Sequence, residues 1–229
     1  MKPANTNSTP ISIDGKTFNI RSGDDPEMLE QIKSLDDQYI GIHYPLTMEQ
    51  LKAIAHKDGL LIALHQNKLA GYSLILFEPI DKQHSFASDE AMLYGTTVKK
   101  EFRHLGLGSA LATMQEIKAK NKGIKKLKLT VRPENAAAVL MRLKNNFQIN
   151  DFESNYFGDE SPRFVMEKNI MESSEKPAKP VNHRASLALT PHQKPSQTTL
   201  TMLAMAFSVG MKVQAYYPES DQVIRLLLG

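Results

Sequence analysis

Arg103-His104-Leu105-Gly106-Leu107-Gly108 is the segment of this sequence with the clearest chemistry. It follows an apolar, partly β-branched run, Met92 to Val98, and leads into a helical pattern beginning near Leu107 and Ser109. A strand, a turn with two glycines and a helix N-terminus together hold phosphate well. The first N–H groups of a helix lack intrahelical partners and carry partial positive charge. Glycine lets that backbone approach an anion with no side chain in the way. The ligand expected on this reading carries a pyrophosphate. The hexamer by itself is equally compatible with a glycine turn ahead of an ordinary helix.

The flanking elements favour the first reading. Leu107, Ala110, Leu111, Met114 and Ile117 share one helical face. Lys118, Lys120 and Lys122 crowd the helix end near Asn121 and Gly123, where the dipole favours cations. Lys126 to Arg132 alternates with period two, a strand pattern. Pro133 ends it, and Asn135 is placed to cap a second helix from Ala136 to about Lys144.

Earlier in the chain, Asp25-Pro26 precedes Met28, Leu29, Ile32 and Leu35, a capped helix with proline in its first turn. Thr47 to Gln50 is a capping-box signature ahead of Leu51, Ile54 and Ala55. Leu60–His65 and Leu69–Phe77 are apolar runs separated by a hairpin signal at Gln66-Asn67-Lys68. Closing strands are expected near Ile149–Tyr156 and Arg163–Lys168, with Gly158-Asp159 in the turn between them. The expected class is α/β (α+β), a central mixed β-sheet flanked by helices.

The chain has 229 residues, room for one principal domain and an appendage. It has no cysteine, which excludes disulfides, thiolate catalysis and Cys-ligated zinc. The seven histidines show no ligand spacing, and no metal is expected. Residues 1–14 are expected to be a disordered N-terminus without the apolar core of a signal peptide, and no transmembrane segment is expected, so a cytoplasmic setting is. Residues 15–171 form the expected domain. Residues 172–199, with prolines 177, 180, 191 and 195, read as a linker, and residues 200–229 as an apolar C-terminal segment. That segment either docks on the domain, pairs across a homodimer, or docks on a partner or membrane.

Between Val98 and Arg132 ten lysines and arginines face two glutamates. Part of this excess is a solvated surface; the rest would attract a polyanion. Nucleic acid is not the expected ligand, because the stretch lacks interleaved aromatics and the chain has no tryptophan.

The order of elements and the motif resemble the core of the Gcn5-related N-acetyltransferases, the GNAT superfamily. The family pattern is a strand-closing valine, here Val98, with Arg/Gln-x-x-Gly-x-Gly/Ala five residues on, here from Arg103; an asparagine at the start of the next helix, here Asn135; and a Gly-Phe at its close, here Asn146-Phe147. The resemblance covers roughly Thr17 to Ile170. It implies direct transfer of an acetyl group from acetyl-CoA to an amine, on a small molecule or a protein. It implies that acetyl-CoA lies between the strand ending at Val98 and the strand Lys126–Arg132. Its contacts would be Thr96, Thr97, Val98, Arg103, His104, Leu105, Gly106, Leu107, Gly108, Ser109 and Asn135, with an oxyanion donor near Thr96–Val98.

Counting from Asn135, the tyrosine that many members use as general acid falls at Arg142, and a guanidinium keeps its proton. Tyr156 is a candidate substitute, or else a half-buried strand aromatic. Glu90, of one strand parity with Met92, Tyr94 and Thr96, is a candidate base, or else an exposed loop carboxylate. Tyr39, His43 and Tyr44 fall where family members often meet the acceptor, an assignment by analogy. Two functions follow: an active CoA-dependent N-acyltransferase, or a catalytically degenerate module of the same fold that binds acyl-CoA or docks a partner.

Overall fold

The computed structural model describes residues 8–39, 45–80, 85–156, 161–171, 185–189, 196–208, 213–220 and 223–228. His43, Tyr44, Gly158 and Asp159 lie outside these, as does most of 172–199. The chain divides into two compact units, Met1–Leu127 and Lys128–Gly229.

The first unit contains β1 (Thr9–Ile13), β2 (Lys16–Ser22), α1 (Pro26–Tyr39), α2 (Met48–His56), β3 (Leu60–His65), β4 (Lys68–Leu76), β5 (Glu90–Val98) and α3 (Leu107–Asn121). Its strands pair antiparallel in the order β1-β2-β3-β4-β5. Both early hairpins turn through two residues with positive φ, Asp14-Gly15 at 49° and 71° and Gln66-Asn67 at 49° and 61°. That geometry matches the twist of the strands it joins.

β1 corrects the expectation of disorder through residue 14. Ile11 and Ile13 pack partly buried against the core, and the register runs from Thr9↔Ile20 to Ile13↔Lys16. The signal was present as alternating isoleucines ahead of an Asp-Gly pair.

Helices cover both faces of this sheet. α1 starts where Asp25 Oδ1 accepts the Met28 N–H at 3.1 Å. α2 starts in a full capping box: Gln50 N–H donates to Thr47 Oγ1 at 3.1 Å and Thr47 N–H to Gln50 Oε1 at 2.9 Å. These two helices bury Leu29, Ile32, Leu35, Leu51 and Ile54 with Leu60, Ile62, Tyr72, Leu74 and Met92. On the opposite face, Leu107 and Leu111 of α3 pack with Phe18, Ile20, Leu61, Ala63 and Ala70. Gln115 of α3 is fully buried and donates Nε2–H bonds to the carbonyls of Ser73 at 2.8 Å and Gly59 at 3.2 Å, fixing how far along the sheet the helix sits.

The second unit contains β6 (Lys126–Val131), α4 (Ala136–Lys144), β7 (Gln148–Glu153), β8 (Arg163–Asn169), β9 (Ala185–Leu189), α5 (Gln197–Ser208), β10 (Val213–Ser220) and β11 (Val223–Leu228). The boundary between the units falls inside β6. The strands order as β6-β8-β7, with a separate antiparallel sheet β10-β11-β9. Two details depart from expectation. β9 lies within the stretch read as a linker, and β7 ends at Glu153, which leaves Tyr156 in the following turn.

The C-terminal elements share the interior of this unit: α5 and β10 pack on β7, and β11 packs on α4. Leu203 of α5 and Leu226 of β11 are fully buried. The apolar tail is therefore covered by its own unit over these residues.

Truncation after Met171 is expected to destabilise the protein. Exposing the faces that cover Leu203 and Leu226 removes about 1.5–3 kcal/mol per fully buried leucine. Thermal melting of the two chains measures the loss, and an unchanged Tm in the truncated protein would contradict this packing.

Candidate functional site

The turn after β5 is built from both sides. A short 3₁₀ segment, Lys100–Phe102, leaves the strand. The Phe102 ring packs edge-on against Phe18 at 5.6 Å and His65 at 5.3 Å, and His65 Nδ1 is 2.9 Å from the Thr17 carbonyl oxygen. Leu105 reaches the same core and Leu107 is fully buried. Two left-handed residues, His104 at φ 63° and Gly106 at φ 94°, turn the backbone between these anchors. Arg103 folds back on the strand it follows, donating Nε–H to the Val98 carbonyl at 2.9 Å, with its guanidinium 4.8 Å from the Tyr39 ring centre.

The result is an α3 N-terminus with Gly106 at the N-cap, no capping side chain and no acidic residue in the first turn. The first helical bond that Gly106 accepts comes from Ala110 N–H at 3.0 Å. The N–H groups of Leu107, Gly108 and Ser109 lie ahead of it and belong to the positive end of the helix. A Cβ built on Gly106 would meet only Ile13 Cγ2 at 4.0 Å. One on Gly108 would meet Val98 Cγ2 at 3.7 Å and Thr96 Cγ2 at 4.0 Å, so this turn stands directly over the end of β5.

β5 is not regular. Its register against β4 runs Leu74↔Gly95 and then Ile75↔Leu93, so Tyr94 is an extra residue in the strand, a β-bulge. The bulge overturns the parity read from the sequence. Met92 and Tyr94 pack into the α1/α2 core, and Thr97 bonds the Tyr72 hydroxyl in that same layer. Thr96 and Val98 face α3, and the Thr96 hydroxyl is 2.9 Å from that of Ser73. Glu90 therefore does not share a face with Thr96.

Glu90 lies at the far end of β5, eight residues before Val98 and so about 26 Å away along an extended strand. It is buried, accepts the Ala87 N–H at 3.1 Å and is bridged by Lys126 Nζ at 2.9 Å. Tyr156 is half-buried in the turn after β7. Asn135 caps α4, its Oδ1 accepting the Ala138 N–H at 3.2 Å, and Asn146 takes the left-handed conformation at φ 65°. Arg142 is buried beside the Phe147 ring, and Nη1 has no hydrogen-bond partner among the described residues. Burial lowers its pKa to about 10, which keeps it charged at neutral pH.

The basic stretch is mostly neutralised. Lys118 donates to Asp58 Oδ1 at 2.9 Å and to Ser22 Oγ at 2.6 Å; Lys120 pairs with Glu116, Lys125 with Asp89, Lys126 with Glu90, Lys128 with Glu167 and Arg132 with Glu134. Burial pushes the Asp58 carboxyl up, but the Lys118 and Ser22 bonds outweigh it and hold it below the usual carboxylate range. Lys99, Lys100 and Arg103 are the cations adjoining the turn itself.

Sequence reasoning missed one cluster. Asp36 of α1 is 1 % exposed, and its Oδ1 accepts the Tyr72 hydroxyl at 2.7 Å. Tyr72 is fully buried and takes a further hydrogen bond from Thr97. Periodicity places position 36 beside Leu35 and Ile32 on the buried side of α1, but gives no reason for a carboxylate there. Among the described residues no cluster of His, Asp and Glu is arranged to hold a metal, and no helix is long and apolar enough to cross a membrane.

Comparison with known proteins bears on this arrangement. No curated protein matches the sequence. Solved structures share its fold. Ard1 from Thermoplasma volcanium is 20% identical, with a TM-score of 0.57 over 68% of this chain and 99% of its own. The ribosomal-protein-S18-alanine N-acetyltransferase from Escherichia coli is 20% identical, with a TM-score of 0.53 over 69% and 97%. A chain of the NatC complex bound to Gag peptide and CoA is 16% identical, with a TM-score of 0.58 over 66% and 98%. The profile of the acetyltransferase (GNAT) family matches residues 27–147, more than half of the chain and the stretch that holds α1, the bulged β5, the glycine turn and α4. The chain belongs to the GNAT family of N-acetyltransferases.

Proposed function

We propose that this chain binds acetyl-CoA at the glycine turn and transfers the acetyl group directly to an amine. The observation that carries the reading is the uncapped α3 N-terminus at Leu107–Ser109, standing over the end of a bulged β5. Bound acetyl-CoA supplies a thioester carbonyl, the activated electrophile.

The residues present fit that ligand. N–H groups at a helix start, with glycine at the cap and no carboxylate nearby, suit a diphosphate. His104 and Gly106 provide the left-handed backbone that brings Leu105–Ser109 to one side, and Arg103 is held against Val98 beside them. The backbone of Thr96, Thr97 and Val98 leads from this turn toward the bulge. A bulge leaves backbone groups out of the ladder, and an N–H released there can donate to an oxyanion. Asn135 joins this set on the family resemblance alone, since its side chain is used as a helix cap.

The acid–base assignments carry over unequally. Glu90 is held by Lys126 at the other end of the strand, which makes it a poor base for an amine at this site. Arg142 keeps its proton, so it does not protonate a thiolate. Tyr156 remains the proposed acid. The charge on Arg142 is also what keeps the second reading, an acyl-CoA-binding module without turnover. Release of free CoA thiol across a panel of amines separates the two. Mass spectrometry of lysate proteins after incubation with labelled acetyl-CoA tests whether the acceptor is a protein or a small amine.

Gly106→Asp and Gly108→Asp are expected to weaken acetyl-CoA binding at least tenfold, about 1.4 kcal/mol. Gly108→Ala serves as the folded control, because its methyl meets Val98 and Thr96 at ordinary contact distance. Calorimetry showing unchanged affinity in folded aspartate variants would remove the turn from the cofactor site.

If Tyr156 protonates the leaving thiolate, Tyr156→Phe is expected to lower kcat by about 10²-fold with little change in acetyl-CoA affinity. Turnover like that of the parent protein would leave solvent as the proton source.

A further inference from the structure

Three stretches of the first unit meet at one end of its sheet. Antiparallel pairing brings the β1–β2 hairpin at Asp14-Gly15, the β3–β4 hairpin at Gln66-Asn67 and the exit of β5 to the same edge. Contacts tie them together there. Lys99 N–H donates to the Ala70 carbonyl at 2.9 Å, His65 Nδ1 is 2.9 Å from the Thr17 carbonyl oxygen, and the His65 ring is 5.3 Å from that of Phe102. Lys16, Lys68, Lys99 and Lys100 stand at this end, and Arg103 follows them into the glycine turn. Lys68 and Lys100 are exposed, Lys16 and Lys99 half-buried.

These four lysines lack the counter-charge that the fold supplies to others. Lys33 meets Asp37, Lys57 meets Glu78, and Lys118 meets Asp58. At the opposite end of the sheet, where β5 begins, Asp89 and Glu90 are paired with Lys125 and Lys126. Among the described residues Lys16, Lys68, Lys99 and Lys100 form no ion pair. Asp14 and Glu101 are the acids at their end, both exposed. Four lysines and Arg103 thus stand against two carboxylates, an excess equal to the formal charge of the whole chain, +3. The patch runs from β2 to β5, three strand spacings or about 14 Å. One phosphate group of a donor at the glycine turn does not fill that width.

We propose that this end of the sheet docks an acidic segment of a partner protein, whose carboxylates meet Lys16, Lys68, Lys99 and Lys100. The surroundings favour that partner over other polyanions. Phe18 is fully buried and the Phe102 ring packs edge-on against it, so neither ring is offered to a nucleobase. Among the described residues these strand ends expose no large apolar side chain to enter a bilayer. A nucleic-acid duplex presents closely spaced phosphates, which would meet Asp14 and Glu101 as well as the lysines. A protein segment carries fewer, spaced carboxylates and avoids them. Each exposed pair is weak alone; together they steer and orient a partner beside the turn.

The test measures binding of three probes to the full-length chain at low ionic strength. They are a capped peptide of alternating glutamate and alanine, a short RNA duplex, and vesicles of phosphatidylcholine with phosphatidylserine. Two variants lose equal charge. The first carries Lys16→Gln, Lys68→Gln, Lys99→Gln and Lys100→Gln; the second carries Lys52→Gln, Lys120→Gln, Lys122→Gln and Lys125→Gln, all exposed positions outside the patch. If the first melts early, Lys68→Gln with Lys100→Gln, at its two exposed positions, takes its place. Peptide affinity is expected to fall about tenfold in the first variant and less than about twofold in the second. Gly106→Asp is expected to keep peptide binding, which separates this surface from the cofactor turn. Three results overturn the proposal: no peptide binding, an equal loss in both variants, or tighter lysine-dependent binding of the duplex or the vesicles. Calorimetry with acetyl-CoA adds a fourth. A larger loss of affinity in the first variant than in the second would assign the lysines to the donor instead.

Discussion

The one-residue bulge at Tyr94 in β5 is the constraint on which the rest of the first unit depends. In a regular strand, alternate residues keep to one face from end to end. Here Met92 and Tyr94 face the α1/α2 core, and after the extra residue Thr96 and Val98 face α3 instead. The switch lets one strand serve two layers. Its first half is core. Its second half supports the glycine turn on one side and, through Thr97, holds Tyr72 and Asp36 on the other. Gly71 makes this possible, since a Cβ there would lie 2.7 Å from the Thr97 carbonyl oxygen. β4 and β5 close on one another only because that position has no side chain.

The turn itself is held by apolar packing rather than by charge. Phe102 against Phe18 and His65, and Leu105 and Leu107 in the core below, fix its two ends. The residues between are then free to expose N–H groups, and Gly106 supplies the left-handed conformation at which a Cβ would be strained. The surplus of lysines plays a smaller part than their number suggests. Lys118 is drawn into a partly exposed pair with Asp58 and a bond to Ser22, and five further cations of the stretch meet a carboxylate. Short-range dipoles at the helix start, with Arg103 beside them, remain as the local field for an anion.

The second unit shows how a tail outside the family match is kept. Among the described residues Leu200, Leu203 and Leu226 are buried in elements that pack within this unit, α5 and β10 on β7 and β11 on α4, while Met202 and Met205 stay exposed. The short strand β9 pairs with β11 through backbone groups that tolerate varied side chains.

What the sequence determined by itself was whatever depends on near neighbours. Helix starts at Asp25, Thr47 and Asn135, the turn at Gln66-Asn67 and the left-handed Asn146 all follow from side chains acting within a few residues, and the two glycines marked the turn after β5, though distant Phe18 and His65 hold it in place. Asp14-Gly15 was equally legible, and the polar residues before it masked a real hairpin. The tertiary structure alone decided the rest. No local pattern announces an inserted residue, so the face of Thr96 and the isolation of Glu90 from it depend on the register with β4. The pairing of Lys118 with Asp58 joins residues 60 positions apart, and that of Asp36 with Tyr72 joins residues 36 apart. Such contacts are set by where the helices lie on the sheet. A buried carboxylate becomes recognisable as unusual only when the packing around it has removed the water that would otherwise have made it ordinary.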